Sequence, residues 1–387
     1  MDYDIFIKKG EKMTELSIIR EKLDKIDKQI VDLYQERMEL CKEVAEYKIA
    51  NGKMVLDRDR ERQKLNVLKQ LANNEFNEKG INELFEQIMS ISRKLQYQIL
   101  AKEDQKLRLP FQPVEDLWEP EVKVVFQGAE GAYSHIAMER FFGREIDNFH
   151  VDTFRQAMCA LEEGSADYAV LPIENSTAGI VSEIYDLLVE FENYIVGEQV
   201  VEIEHCLLAV EEAQMEDIRR VYSHPQSLMQ CADFLGKQQW QQVSLLNNAF
   251  AAQKVKEEGR KEQAAIASER AAKLYGLKVL KRGINRQENN CTRFIIVSSR
   301  KIFPLKAEKI SLCFEIPHKS GSLYHILSHF IYNNLNMSKI ESRPIPERNF
   351  EYRFFIDFEG NLRDSAVRNA LRGLREETTN LKILGNY

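Results

Sequence analysis

The chain has 387 residues, more than a single hydrophobic core usually supports, so two or three domains are expected. Its 44% hydrophobic content suits ordinary globular cores, and its 54 basic and 61 acidic residues are mixed without long blocks of one sign, which excludes nucleic acid as the main partner. No apolar run approaches the roughly 20 residues that cross a bilayer, and no charged-then-apolar leader opens the chain, so no membrane partner and a cytoplasmic location are expected.

The first twelve residues, ahead of Met13, fit none of the periodic patterns that follow and are read as an extension. From Leu16 to Tyr47 apolar positions recur in steps of three and four (Leu16, Ile19, Leu23, Ile26, Ile30, Leu33, Leu40, Val44, Tyr47), which predicts one long helix with a narrow packing seam. Arg37 occupies a position in that seam, and Asn51-Gly52 supplies a stop. Helical patterns follow at about Asp57 to Ala72 and Ile81 to Ile99. Three helices of such unequal length make a poor monomeric core, so pairing through the long helix is expected.

Between Lys102 and Pro120 periodicity is lost and three prolines appear, marking a linker. Short apolar runs then alternate with amphipathic helices, at Val122 to Phe126, Ala169 to Ile173, Cys206 to Val210, Arg220 to Tyr222, Ala264 to Ile266 and Phe294 to Val297, an α/β signature. From Ile310 the order is strand, helix, strand, strand, helix, strand, the ferredoxin-like α+β arrangement. The six cysteines are scattered, with no metal-ligand spacing, so reduced thiols, no metal and no cofactor are expected.

An arginine in an apolar seam must be paired or partly solvated. Arg37 has company: Arg20 and Lys48 flank it on the first helix, Asp57, Arg60 and Glu61 open the second, and Ser92 and Gln96 lie one turn apart on the third. Cations, carboxylates and neutral donors converging inside a helical bundle suit a dicarboxylate guest. These eight residues resemble the binding set of the all-helical chorismate mutases, over about residues 14 to 100. The resemblance implies that chorismate is held in its reactive conformer by Arg20, Arg37 and Arg60, with Arg20 reaching into a partner subunit's site. Lys48 and Gln96 would donate to the breaking ether oxygen as the catalytic pair, while Asp57 and Glu61 position the ring hydroxyl and the cations. Whether Gln96 acts alone or through a protonated glutamate is open.

In the α/β region, Gly128 to His135 follows a strand and opens a helix, where backbone N–H groups can hold an anion. Glu174-Asn175-Ser176, Ser223-His224-Pro225-Gln226 and Thr292-Arg293-Phe294 lie at strand ends or starts, where open α/β sheets place ligands. Alone, His224 reads as a helix-start residue, Asn289 and Asn290 as turn formers, and Cys291 as a packed neighbour. As an ordered set, with Thr153-Phe154, these segments resemble prephenate dehydratase over about residues 121 to 300. That resemblance implies two α/β lobes, like a periplasmic binding protein, with prephenate in the cleft. Thr292 would protonate or hydrogen-bond the departing hydroxyl, Asn175, Ser223 and Gln226 would orient the ring, and Ser134 and Arg293 would meet the carboxylates. Thr153, Glu174 and Ser176 complete the expected set.

Gly321-Ser322-Leu323-Tyr324 and Glu341-Ser342-Arg343-Pro344 sit in the terminal unit. They resemble the effector motifs of the ACT regulatory domain, which implies phenylalanine as an inhibitor, with Gly321, Ser322, Leu323, Glu341, Ser342, Arg343 and Pro344 at its site. Tyr324 departs from the usual pattern. The expected organisation is a chorismate mutase domain (13–101), a linker (102–120), a prephenate dehydratase domain (121–300) and an ACT domain (308–387), assembled as a homodimer or homotetramer. The alternatives are a non-catalytic phenylalanine sensor and an enzyme with only one working site.

Overall fold

The structure, a computed structural model, describes residues 3–103, 109–117, 121–286, 289–319, 321–346 and 348–387, with side chains from Glu15 to Leu100 in the first of these segments. The described residues fall into two compact units.

The first unit is helical. Helix α1 (Tyr3–Ala50) begins well before Leu16, so most of the supposed N-terminal extension is helical rather than patternless. It ends in a Schellman arrangement: Lys53 N donates to Lys48 O at 2.9 Å and Gly52 N to Ile49 O at 3.2 Å, with Gly52 at φ +61°. Helix α2 (Arg58–Lys69) is capped by Asp57, whose carboxylate accepts from Arg60 N at 3.0 Å. Helix α3 (Glu75–Glu103) packs against both. Two helices from the far end of the chain, Ser322–Tyr332 and Ser365–Glu377, belong to the same unit and lie against α3. Along α1 the seam residues Leu16 to Tyr47 remain about half exposed.

The second unit is built on two large sheets and a short strand pair. The pair joins Gln112–Val114, in parallel, to Ile302–Pro304; part of the stretch expected as linker is therefore ordered strand. One large sheet has ten strands. Lys123–Gln127, Asp147–Val151, Tyr168–Asn175, Tyr194–Glu202 and Cys291–Ser298 form its first half, with the two-residue strand Gly179–Ile180 paired to Tyr168–Asn175. Lys309–Glu315, Met337–Pro344, Tyr352–Glu359 and Thr379–Asn386 continue it, the two halves meeting at Gly385 beside Ile195. A Cβ on Gly385 would lie 2.0 Å from the Ile195 carbonyl oxygen, so only glycine permits the join. The second large sheet has five strands and carries Cys206–Ala209, Arg220–Ser223 and Gln263–Ala267 at its centre. Each large sheet has its own buried aliphatic core, around Leu171 and Ile295 in one and Leu208 and Ile266 in the other.

Candidate active sites

In the helical unit the seam arginine turns toward α3. Arg37 Nη1 donates to Ser92 Oγ at 2.5 Å, and Ser92, itself buried, donates to Ile88 O at 2.7 Å. The Schellman end of α1 fixes Lys48, whose ammonium donates to Val55 O at 2.5 Å. Burial pulls the Lys48 amine below its ordinary range, against the opposing influence of Asp57, Glu61 and Glu376. Gln96 is buried and its Oε1 has no hydrogen-bond partner among the described residues, a costly state for an amide unless a ligand satisfies it.

Asp57 and Arg60 are exposed at the start of α2, and Arg20 is exposed on α1. Arg20 lies 17 residues before Arg37, about 25 Å along a helix, and so cannot reach the same pocket in one chain. Glu61 faces inward and is held by Arg93, which reaches both carboxylate oxygens at 2.7 Å. Arg93 was not anticipated: in a chain that is 30% charged, one further cation on α3 gives no signal.

In the two-lobed unit a cavity of about 430 Å³ lies between the large sheets. Ser134, Asn175, Gln226 and Thr292 line it, together with Phe154 and His224. Asn175 Nδ2 donates to Thr292 Oγ1 at 2.9 Å and to Asn290 Oδ1 at 2.8 Å, so Asn290 is a partner in the site rather than only a turn former. Asn175 Oδ1 accepts from the Thr177 hydroxyl at 2.7 Å, Gln230 donates to Thr177 Oγ1 at 2.9 Å, and Gln230 meets His205 at 2.9 Å. His205 and Tyr133, 3.1 Å apart, close this chain. Burial pulls His135, His205 and His224 below the ordinary imidazole range, leaving them neutral at pH 7.

Among the described residues, the cavity lining contains no lysine or arginine. Anion-binding capacity comes instead from the starts of helices Tyr133–Phe142 and Asn248–Glu258, whose first residues line the wall. At the first of these, Gly131 at φ +85° brings the turn against Ala271, where a Cβ would come within 3.0 Å of backbone, and its N–H donates to His135 Nδ1 at 3.0 Å.

Five expected prephenate contacts lie outside this lining. Strand alternation sends Thr292 and Phe294 inward and Arg293 to the opposite face, where it pairs with Asp357 at 3.1 Å, Glu198 at 3.3 Å and Glu174 at 3.4 Å. Glu174 also binds Lys339 at 2.7 Å. A register shift opposite Arg293 and Phe294 leaves Ile173 as an extra residue, which lets Pro172 and Asn175 both face the cavity. Thr153 caps helix Phe154–Glu162 through Gln156 N at 3.2 Å. Ser176 accepts from Cys291 N at 2.9 Å, and the single proton of the buried Ser223 hydroxyl is shared between Ile266 O at 2.8 Å and Asn248 Oδ1 at 2.9 Å. Tyr133, Thr177, His205, Gln230 and Asn248 were not anticipated as site residues; only Tyr133 fell within a motif that drew notice.

Of the expected effector residues, Gly321 adopts φ +78° at the start of helix Ser322–Tyr332, whose first turn carries Ser322 and Leu323. Glu341, Ser342, Arg343 and Pro344 end the strand Met337–Pro344, and Arg343 pairs with Asp186 at 2.6 Å. Among the described residues no cluster suited to a metal ion occurs, and no helix is long and apolar enough to cross a membrane.

Two family models match the chain, chorismate mutase type II over residues 19–97 and prephenate dehydratase over residues 124–302. A bifunctional chorismate mutase/prephenate dehydratase of Enterobacter agglomerans is 34% identical over 385 residues, covering 96% of this chain and 95% of the relative. Among solved structures, a prephenate dehydratase from Arthrobacter aurescens in complex with L-Phe is 30% identical with a TM-score of 0.64, over 69% of this chain and 89% of that one. GqqA, described as a novel type of quorum quenching acylase, is 33% identical with a TM-score of 0.62, over 68% of this chain and 97% of that one. The two matched regions coincide with the helical site and the two-lobed cavity, and similarity runs almost end to end. The chain belongs to the bifunctional chorismate mutase/prephenate dehydratase family.

Proposed function

We propose that the helical site rearranges chorismate to prephenate and that the two-lobed cavity converts prephenate to phenylpyruvate, with phenylalanine as feedback inhibitor. The observation that supports this reading is the pair of unlike sites: a helical unit in which Arg37 reaches Ser92 and Lys48 is partly buried, and a neutral cavity around Asn175 and Thr292.

The rearrangement needs no covalent partner, so the pocket acts by holding the reactive conformer and stabilising charge on the breaking ether oxygen. Arg37 and Arg60 take carboxylates. Lys48, already partly desolvated, and the amide nitrogen of buried Gln96 donate to the ether oxygen, while the unpartnered Gln96 Oε1 is free to accept from a donor on the substrate or a neighbouring cation. Asp57 and Glu61 place the ring hydroxyl and the cations. Arg20 enters from a second copy, because its distance from Arg37 along α1 rules out the same chain, and the half-exposed seam of α1 supplies the pairing surface. A homodimer or homotetramer follows.

In the cavity, prephenate loses carbon dioxide and its ring hydroxyl as the ring becomes aromatic. Because Asn175 Nδ2 donates to Thr292 Oγ1, the threonine proton is directed away from Asn175 and toward the departing oxygen. The two helix starts take the carboxylates without a cation, and Gln226 orients the ring. Arg293 and Glu174 act on the opposite face by holding the strands that carry Thr292 and Asn175, and Ser223 by holding Asn248.

The organisation that accompanies this reading is a mutase domain (13–101), a dehydratase domain (121–300) and an ACT regulatory domain (308–387), working in the cytosol. The ACT reading is supported by the strand and helix order after Lys309, by the motifs at Gly321 and Glu341, and by the L-Phe bound in the Arthrobacter relative. A coupled assay from chorismate to phenylpyruvate, with and without phenylalanine, tests all three parts. Consumption of chorismate with prephenate left at its spontaneous decay rate would sink the dehydratase assignment.

A further inference from the structure

Helix Ser365–Glu377 ends in two glutamates, Glu376 and Glu377. Acidic side chains at a helix C-terminus oppose the helix dipole, so this pair is not placed for the benefit of its own helix. Both face the mutase helices. Glu376 Oε2 accepts from Leu56 N at 2.8 Å and from the Tyr97 hydroxyl at 2.7 Å. Leu56 stands between Val55, the acceptor for Lys48, and Asp57, the cap of α2. Glu377 Oε1 accepts from Arg93 Nε at 2.9 Å and lies 3.3 Å from His329 Nε2.

Arg93 therefore bridges two carboxylates, Nη1 to Glu61 and Nε to Glu377. It is 8% exposed, and a guanidinium so buried is stable only while both acids hold it. Burial alone would raise the Glu377 carboxyl, but nearby His329 and the Arg93 charge hold it down to about 2, so it is ionised throughout the working range. Among the described residues, no side chain of α1 or α2 is hydrogen-bonded to Arg93 Nε, which is held by Glu377.

We propose that Arg93 and Glu377 are positioning residues for the mutase reaction: the C-terminal helix, through Glu377, fixes Arg93, and Arg93 fixes Glu61 in the chorismate pocket. The inference rests on the reading of Glu61 as a pocket residue. It makes the mutase site dependent on a segment almost three hundred residues further along the chain.

The test uses the full chain, with chorismate loss and phenylpyruvate formation from added prephenate measured separately. Glu377→Gln and Arg93→Met each lower mutase kcat/KM about tenfold and leave dehydratase kcat/KM within about twofold. The double variant is no worse than the poorer single one, because both changes cut one path. Glu377→Asp, which keeps the charge, recovers most of the loss. If Glu61→Gln lowers mutase activity while Glu377→Gln and Arg93→Met do not, the relay is wrong and the pocket reading stands. If Glu61→Gln itself has no effect, the pocket reading fails and takes the relay with it. Parallel loss of both activities in Glu377→Gln and Arg93→Met, or losses that multiply in the double variant, also overturns the proposal.

Discussion

Asn175 Nδ2 lies 2.9 Å from Thr292 Oγ1 and donates to it, which leaves the threonine as a donor to whatever occupies the cavity. In the proposed reaction, removing that donor removes the proton, or the hydrogen bond, that helps the hydroxyl leave. Thr292→Ala is expected to lower dehydratase kcat on the order of 10²-fold or more and to leave mutase turnover unchanged. Thr292→Ser should retain much of the activity, since it keeps the hydroxyl. Separate steady-state assays on chorismate and on prephenate decide the matter, and an alanine variant as fast as the parent would remove Thr292 from the mechanism.

The Arg37 guanidinium and Ser92 form the complementary case. Arg37→Ala should cut mutase kcat/KM on the order of 10²-fold or more with dehydration intact. Arg37→Lys should recover little, because an ammonium cannot reproduce the planar fork. If Arg20 is supplied in trans, mixing inactive Arg20→Ala and Arg37→Ala chains under exchange conditions returns about a quarter of parental activity: half the dimers are mixed and one site in each is whole. No recovery despite demonstrated subunit exchange would place Arg20 outside the partner's site.

Stability should carry a pH signature from the buried imidazole of His205. Burial lowers its folded pKa against the weaker opposing bond to Gln230, so below the unfolded value of about 6.5 the unfolded chain binds the extra proton. Its contribution is therefore fully present above that value and is lost as pH falls from about 6.5 toward and through the folded pKa. Urea unfolding at pH 8 and pH 5.5 should show a drop for the parent that His205→Asn reduces. Equal drops in the two proteins would show that His205 does not titrate on unfolding.

The sheet join at Gly385 gives a purely steric prediction. Alanine there would place a methyl carbon 2.0 Å from the Ile195 carbonyl oxygen, and backbone on both sides cannot yield as a side chain can. Gly385→Ala is expected to destabilise the chain by about 3 kcal/mol. A denaturation midpoint within error of the parent would mean that the strands separate at no cost.

Much of this organisation was legible from periodicity and motif order. The long seam from Leu16 to Tyr47, the strands carrying Asn175 and Thr292, and the strand-helix order after Lys309 all show in local pattern. Tyr194–Glu202 did not, because Gly197, Glu198 and Gln199 interrupt its apolar run; Gly197 is required there, since a Cβ would meet the Phe141 ring at 2.6 Å. The expected contact from Arg293 to substrate runs against the period of two that sends alternate strand residues to opposite faces, and in the structure Arg293 lies on the face away from Thr292. Arg93 and Glu377 are 284 residues apart, and no repeat or spacing links them. Local chemistry marks a residue as available, whereas only the fold decides which face receives it.

Arg93 and Lys94 have one more consequence. Both are buried on α3, Arg93 against Glu377 and Lys94 against Ser328 at 2.7 Å. A chain shortened to its first three helices would present both cations bare to water on a surface they now share with acid and hydroxyl partners. The first three helices alone would therefore lack two of the groups that order these side chains, Glu377 for Arg93 and Ser328 for Lys94, and would hold Arg93 through Glu61 only.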